Sequence, residues 1–315
     1  MLTVNPVTGD IYYGTQTPGH FYAVTSEGSL KWVFEEAGSM QSAAPAVNAA
    51  GTAVYICDKS GNTFAIDAAS GQKIWNFTAG VPGGGLLVNG SELLIGAESN
   101  AFFVNIETGE QIAKVALGCK MSDITGFAVS SDKTLAYFGA ASGYIGAVDL
   151  TTHTAKTPLL AGTTNPNTIY EPVVAPNGSI FAGSKNGSVY NVKGDLSAVN
   201  WEHVHTGKAV NNTYNYSHPC VDSENRFYIT AGQTTNTSYI FDAEGRVLDS
   251  WSYTGTTAAA QRQMGGNNYL DGVFYSAFIG NGDQNGMFVG KYVGGERASS
   301  WSTHGGDICG SCCVK

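Results

Sequence analysis

The densest cluster of reactive side chains lies near the end of the chain, where Cys309-Gly310-Ser311-Cys312-Cys313 follows His304. Thiolates and imidazole are zinc ligands, but a structural site needs four of them converging. A compact cluster at a chain end equally suits a disulfide-linked or unstructured tail, so no metal is assigned. Asp283, within Gly280-Asn281-Gly282-Asp283-Gln284-Asn285-Gly286, has an oxygen suited to calcium, yet the run carries too few carboxylates for a calcium loop. Neither a glycine-rich phosphate loop nor a His-Glu-x-x-His helix nor a nucleophile elbow occurs. His203 and His205 alternate on one strand face beside Trp201 and suit half-exposed strand positions. No catalytic residue is assigned.

A second set of residues suits recognition. Asn212, Tyr214 and Tyr216 lie in the long polar segment 205–218, and Arg262 with Gln263 in 261–264. Tyr170-Glu171 and Asp123 come from two further connecting segments. Rings for stacking and amides for directional hydrogen bonds suit a polyhydroxylated ligand or a peptide. The plain alternative is ordinary polar loops, because Asn and Gly serve turns. Convergence of two of Asp123, Glu171 and Arg262 within hydrogen-bond reach would instead favour general acid–base work.

These segments are positioned by a repeat that the tryptophans mark. Trp32, Trp75, Trp201, Trp251 and Trp301 are separated by 43, 126, 50 and 50 residues. Two units show the pattern: Phe21-Tyr22-Ala23-Val24, a turn at Gly28, then Lys31-Trp32-Val33-Phe34; and Phe64-Ala65-Ile66-Asp67, a turn at Gly71, then Ile74-Trp75-Asn76-Phe77. A further strand pair precedes each, giving four short strands per unit of about 44 residues, a propeller-blade period. The position of Asp67 recurs as Thr25, Asn105, Asp149, Lys193, Asp242 and Lys291, and the tryptophan position follows it as Trp32, Trp75, Ala113, Thr157, Trp201, Trp251 and Trp301. Seven units therefore tile one all-β domain over residues 1–315, a seven-bladed β-propeller of four-stranded antiparallel blades with 302–315 as a ring-closing segment or tail. Each tryptophan covers apolar surface between blades. Gly28, Gly71, Gly109 and Gly245 serve the turn between the third and fourth strands, where a positive φ is cheap only for glycine. In such a blade the connections between units share one face with the second-to-third turns, so the candidate binding residues gather there.

Composition narrows the partners. Sixteen basic against 25 acidic residues give a net charge of −9, and no basic run exists to follow a nucleic-acid backbone. No apolar stretch is long enough to span a bilayer, and Met1-Leu2-Thr3-Val4-Asn5-Pro6 lacks signal-peptide character. The abrupt start suggests a trimmed chain or the remainder of a longer precursor. Cys57 and Cys220 sit in strand-like runs and are expected as buried thiols.

The unit that runs from Ala44-Pro45-Ala46-Val47 through Ala53-Val54-Tyr55-Ile56 and Gly61-Asn62-Thr63-Phe64-Ala65-Ile66-Asp67 to Trp75 resembles the pyrroloquinoline quinone (PQQ)-like propeller repeat. Gly178 to Tyr190 and Tyr239 to Gly245 are similar versions, and Trp301-Ser302-Thr303-His304-Gly305-Gly306-Asp307 looks like the segment often found at an end of such propellers. The repeat occurs in quinone-dependent dehydrogenases and in cofactor-free binding proteins, and fold alone does not choose between them. A quinone site requires a tryptophan platform, a carboxylate and calcium, whereas all five tryptophans here are committed to the repeat. Cys312-Cys313 is like the dehydrogenases' adjacent cysteines but lies outside the seven units. The resemblance thus implies a monomeric, extracytoplasmic, cofactor-free module, periplasmic or on the cell surface, that binds a protein or glycan on the inter-blade loop face. The alternatives are a quinone- or metal-dependent oxidoreductase and a propeller lyase or hydrolase acting on polysaccharide.

Overall fold

A computed structural model describes residues 2–40, 44–81, 83–121, 126–162, 167–185, 187–204, 215–216, 219–232, 236–253, 267–270, 273–278 and 287–292. Apart from one short 3-10 turn at Ala141–Gly143, every regular element among them is a β-strand. The first sheet is formed by Leu2–Val4, Ile11–Gly14, Phe21–Val24 and Leu30–Phe34, each antiparallel to the next. The second repeats that order over Ala46–Val47, Ala53–Cys57, Asn62–Asp67 and Lys73–Thr78, and the third over Gly83–Asn89, Glu92–Ala97, Asn100–Asn105 and Gln111–Ala116. In the fourth, the last strand is split into Thr154–Ala155 and Leu159–Leu160. Pro158 lies in the break, as expected for a residue without an amide hydrogen. The fifth sheet ends on Val199–Val204 and the sixth on Val247–Tyr253; Asn267–Leu270, Val273–Phe278 and Met287–Tyr292 form a three-stranded sheet after it.

Each sheet is a meander whose short turns follow from their residues. Asp67, Asn105, Asp149 and Asp242 stand at the end of the third strand, and the side-chain oxygen of each accepts amide hydrogens from the turn that follows. Asp67 Oδ1, for example, takes those of Ala69 and Ser70 at 3.1 and 2.7 Å. These self-capped turns explain why the repeat prefers Asp or Asn there. The two strands they join then slip register by a bulge in the first, second, third, fifth and sixth sheets, which increases local twist.

The sheets pack face to face in chain order, with a separate apolar cluster in each seam. Tyr12, Phe21 and Trp32 meet Val54 and Ile66 between the first and second sheets, and Tyr55 and Trp75 meet Leu93 and Phe102 between the second and third. Phe103 and Leu117 meet Phe138 and Val148 in the next seam, and Phe181 meets Phe227 and Phe241 between the fifth and sixth. First strands of neighbouring sheets touch one another, so the sheets radiate from a shared inner side.

Tryptophan makes the seams specific. Trp32, Trp75, Trp201 and Trp251 all lie in the last strand of their sheets. Trp32 Nε1 donates to the Ala68 carbonyl at 3.1 Å, Trp75 Nε1 to Ile106 at 3.0 Å and Trp201 Nε1 to Ala243 at 2.9 Å. Each acceptor is the residue immediately after the capping Asp or Asn of the next sheet. The ring then lies over the turn glycine, so that a Cβ added to Gly71, Gly109 or Gly245 would come within 2.7 Å of the Trp32, Trp75 or Trp201 indole. Glycine is therefore required twice, by its positive φ and by the ring above it.

Cys57 and Cys220 are buried, the first with its thiol 3.6 Å from the Asp58 carbonyl. Trp301, the 302–315 segment with His304 and its cysteines, and Asp283 lie outside the described residues.

Candidate functional site

The antiparallel meander puts the second-to-third turns and the inter-sheet connections at one end of the sheets, and the remaining turns at the other. At the first end the connecting chain enters the second, fourth and fifth sheets in a similar way. Met40 forms a β-bridge with Asp58, Met121 with Ala140 and Ile169 with Ser184, each joining the incoming segment to the sheet that follows. All three are buried. Met40 and Met121 also press against Gly14 and Gly96 of the preceding sheet, where a Cβ would come within 2.5 and 2.4 Å of them. Bridges and close packing together fix the bases of the connections on two sheets at once.

Asp58 strengthens one of these bases. Its carboxylate is buried and accepts hydrogen bonds from the amides of Gly38, Ser60 and Asn62 and from Asn62 Nδ2, at 2.9–3.2 Å. Four donors satisfy the charge and join the first inter-sheet segment to the second sheet. Among the described residues, no group of three or more His, Cys, Asp and Glu side chains comes together in a manner suited to a metal.

The expected binding residues divide as follows. Asn212, Tyr214, Arg262, Gln263 and Asp123 lie outside the described residues, and Tyr216 lies in the strand Asn215–Tyr216, paired with Ala231. Tyr170 is 7% exposed and packs with Val173, Phe181, Val189 and Phe227, while its amide donates to the Gly183 carbonyl at 2.9 Å. Glu171 is 2% exposed, and its carboxylate lies so close to Gly126 that a Cβ there would approach Oε1 within 2.7 Å. The chain thus brings Glu171 from the fifth sheet's entry against the fourth's. Residue type alone did not reveal this burial. The signal available was apolar Ile169 just ahead of the pair, matching Met40 and Met121 in phase.

His203 is half-buried against Phe241 and Tyr239, with ring centroids at 4.9 and 5.4 Å, and burial holds its pKa below the usual histidine value. It is a packing residue of the seam between the fifth and sixth sheets.

The opposite end carries a cleft of about 590 Å³ between the second and third sheets, lined in part by Asn48, Thr52, Tyr55, Asp67, Ser91 and Glu107. Sequence reasoning did not anticipate it. Its groups have structural work: Asp67 caps its turn, and the Tyr55 hydroxyl reaches the Ile106 carbonyl at 3.5 Å.

Comparison with known proteins follows the same lines. A search of curated protein sequences finds no match. Among solved structures the chain is similar to BamB from Moraxella catarrhalis, with TM-score 0.69 and 18% identity over 93% of this chain and 84% of that one. It is also similar to the C-terminal WD40 domain of Sif2, with TM-score 0.71 and 12% identity over 93% and 81%. Both likenesses bear on the fold, which is that of a β-propeller. No helix among the described residues is long and apolar enough to cross a membrane. The family model described as "Outer membrane protein assembly factor BamB" matches residues 3–203 and 65–269, so the chain belongs to that PQQ-like propeller family.

Proposed function

We propose that the chain is a non-catalytic, extracytoplasmic scaffold whose seven blades present the inter-sheet connections as a binding surface for a protein. Support comes chiefly from the three equivalent bridges at Met40, Met121 and Ile169, which hold the bases of three inter-sheet connections on rigid sheets. Recognition concentrates on loops held in this way. Family membership adds relatives described as outer-membrane protein assembly factors, which favours a protein partner over a glycan. Tyr214, Tyr216, Asn212, Arg262, Gln263 and Asp123 are the side chains proposed to shape that surface, whereas the buried Tyr170 and Glu171 are not among them. Monomeric state and independence from a cofactor belong to the same proposal.

A photo-crosslinking amino acid placed at Asn212 or Arg262, with Glu107 at the opposite end as control, tests the surface. Capture of one defined extracytoplasmic protein from the first two positions and not from Glu107 supports the proposal. Capture only from Glu107, or saturable binding on a glycan array without protein capture, overturns it. Dye reduction over an alcohol panel after addition of quinone and calcium would contradict the non-catalytic assignment.

A further inference from the structure

We propose that the cleft between the second and third sheets, at the end opposite the inter-sheet connections, binds a small aliphatic cation, an alkylamine or alkylguanidine held between Asp67 and Glu107. The inference goes beyond the protein-binding surface and stands apart from it, since a small ligand leaves no protein for a crosslinker at Glu107 to capture.

The cleft exists because neighbouring connections differ in length. First and second strands are joined by residues 5–10 in the first sheet and 48–52 in the second, but by Gly90-Ser91 alone in the third. Gly90, with φ +60°, permits that two-residue turn. Where the connections are longer, they meet across the seam. Asn5 Nδ2 donates to the Gly51 carbonyl at 2.8 Å, and a Cβ on Gly51 would come to 3.0 Å from Val7. Between the fifth and sixth sheets, Asn177 N likewise donates to Asn225 Oδ1 at 2.8 Å.

Asn48 has the place of Asn5 but makes no such bridge. Its side chain turns back on its own connection, donating to Thr52 Oγ1 at 2.9 Å and accepting from the amides of Thr52 and Ala53 at 2.8 and 3.1 Å. A Cβ on Gly90, facing it, meets nothing within 4 Å among the described residues. The space closed in the other two seams is thus left open here. Its volume of about 590 Å³ falls in the roughly 300–1,000 Å³ range of small-ligand sites.

The lining selects a cation. Carboxylates stand on both walls, Asp67 from the second sheet and Glu107 from the third. The three hydrogen bonds to the Asp67 side chain all fall on Oδ1, which leaves Oδ2 for a ligand. Lys31, near Asp67, is taken up by Asp10 at 2.6 Å, and Lys73 by Glu36. No ion pair among the described residues includes Asp67 or Glu107. Tyr55, 1% exposed, reaches only the Ile106 carbonyl with its hydroxyl, at 3.5 Å, whereas the hydroxyls of Tyr12 and Tyr137 at the same register have partners at 3.2 and 2.7 Å. Its oxygen is placed to accept from a donor in the cleft. Ile74, 49% exposed, with Ala49 and Ala50, supplies an apolar flank for a methylene chain. Acceptors on two walls beside such a flank match a charged N–H donor on an aliphatic stem.

The test titrates cadaverine, and separately agmatine, into the 15N-labelled full chain and follows amide resonances. The proposal expects saturable shifts with at least one of them at Asn48, Thr52, Ser91 and Glu107, and affinity lowered about tenfold or more by Glu107→Gln. Ala50→Trp, which fills the cleft from an exposed position, should abolish binding. Unchanged urea midpoints show that both variants fold. Equal shifts with pentanediol would reveal a pocket indifferent to charge, and equal shifts with sodium or magnesium chloride a diffuse acidic patch. Tighter binding of a blocked lysine tripeptide than of either amine would make it a peptide site. Each of these results overturns the proposal, as does the absence of saturable shifts at these amides or full affinity in Glu107→Gln.

Discussion

His153 Nε2 lies 3.0 Å from Glu92 Oε2, joining the turn of the fourth sheet to the second strand of the third. The same imidazole lies over Phe103 with ring centroids 4.1 Å apart. His153 occupies the turn position of Gly71 and Gly109, with φ +53° and its amide on the Asp149 carbonyl as theirs are on Asp67 and Asn105. The preceding sheet has Ala113 at its tryptophan position. A small residue on one side and a large one on the other thus replace the tryptophan–glycine pair. In the following seam the buried Leu196, φ +58°, takes the turn position, and the Tyr137 hydroxyl donates to the Gly194 carbonyl at 2.7 Å in place of an indole.

The exchange predicts strong coupling. Ala113→Trp should destabilise because His153 fills the dock, and His153→Gly because the seam loses its ring and its Glu92 partner. The double variant should recover stability, with a coupling of about 1–3 kcal/mol in a denaturation cycle. Additive losses would show that the two positions do not share the seam.

Docked glycines should be costlier to replace than free ones. Gly80 and Gly109 both have left-handed backbones, φ +78° and +73°, but a Cβ on Gly80 meets nothing within 4 Å while one on Gly109 strikes Trp75. Gly80→Ala should cost about 1–2 kcal/mol from backbone strain. Gly109→Ala should cost a further ~1–3 kcal/mol from overpacking, and Trp75→Ala about 3–5 kcal/mol, read from urea midpoints.

Acid should weaken the turns. Hydrogen bonds from the Ser70 side chain and amide hold the Asp67 pKa below its usual value, and the Thr152 and Thr151 amides do so for Asp149. A carboxylate depressed on folding stabilises the fold above its unfolded value, and the contribution fades as pH drops below about 4. Asp67→Asn keeps the capping oxygen, as Asn105 does naturally, and should flatten the loss between pH 5 and 3 in chemical denaturation. An unchanged slope would contradict the assignment.

Alkaline chemistry should be slow at Cys119. Burial raises its thiol to about 11, and raises the Tyr137 hydroxyl to about 12. At pH 8 iodoacetamide should therefore modify Cys119 well below the rate of a model thiol peptide, as judged by peptide-resolved mass spectrometry. Equal rates would show an accessible thiolate.

Much of this architecture was legible because it depends on periodic, local features. Trp32, Trp75, Trp201 and Trp251 mark last strands, and Gly28, Gly71, Gly109 and Gly245 mark turns with positive φ. The role of His153 was hidden because a left-handed backbone is uncommon for any residue but glycine and because its value lies in Ala113, 40 residues earlier. Tyr170 and Glu171 read as a polar loop because their types are polar, while their burial is set by packing against the fourth and fifth sheets. Asp58 was equally silent, since only the fold brings Gly38 to it.

The central claim is that the tryptophans bind sheet to sheet and form no ligand platform. Proton exchange of 15N-labelled indoles, followed by NMR with and without quinone and calcium, tests it most directly. The account predicts that Trp32, Trp75 and Trp201 exchange slowly and keep their resonances when the ligands are added. Rapid exchange at these indoles, or saturable shifts on adding quinone, would contradict it.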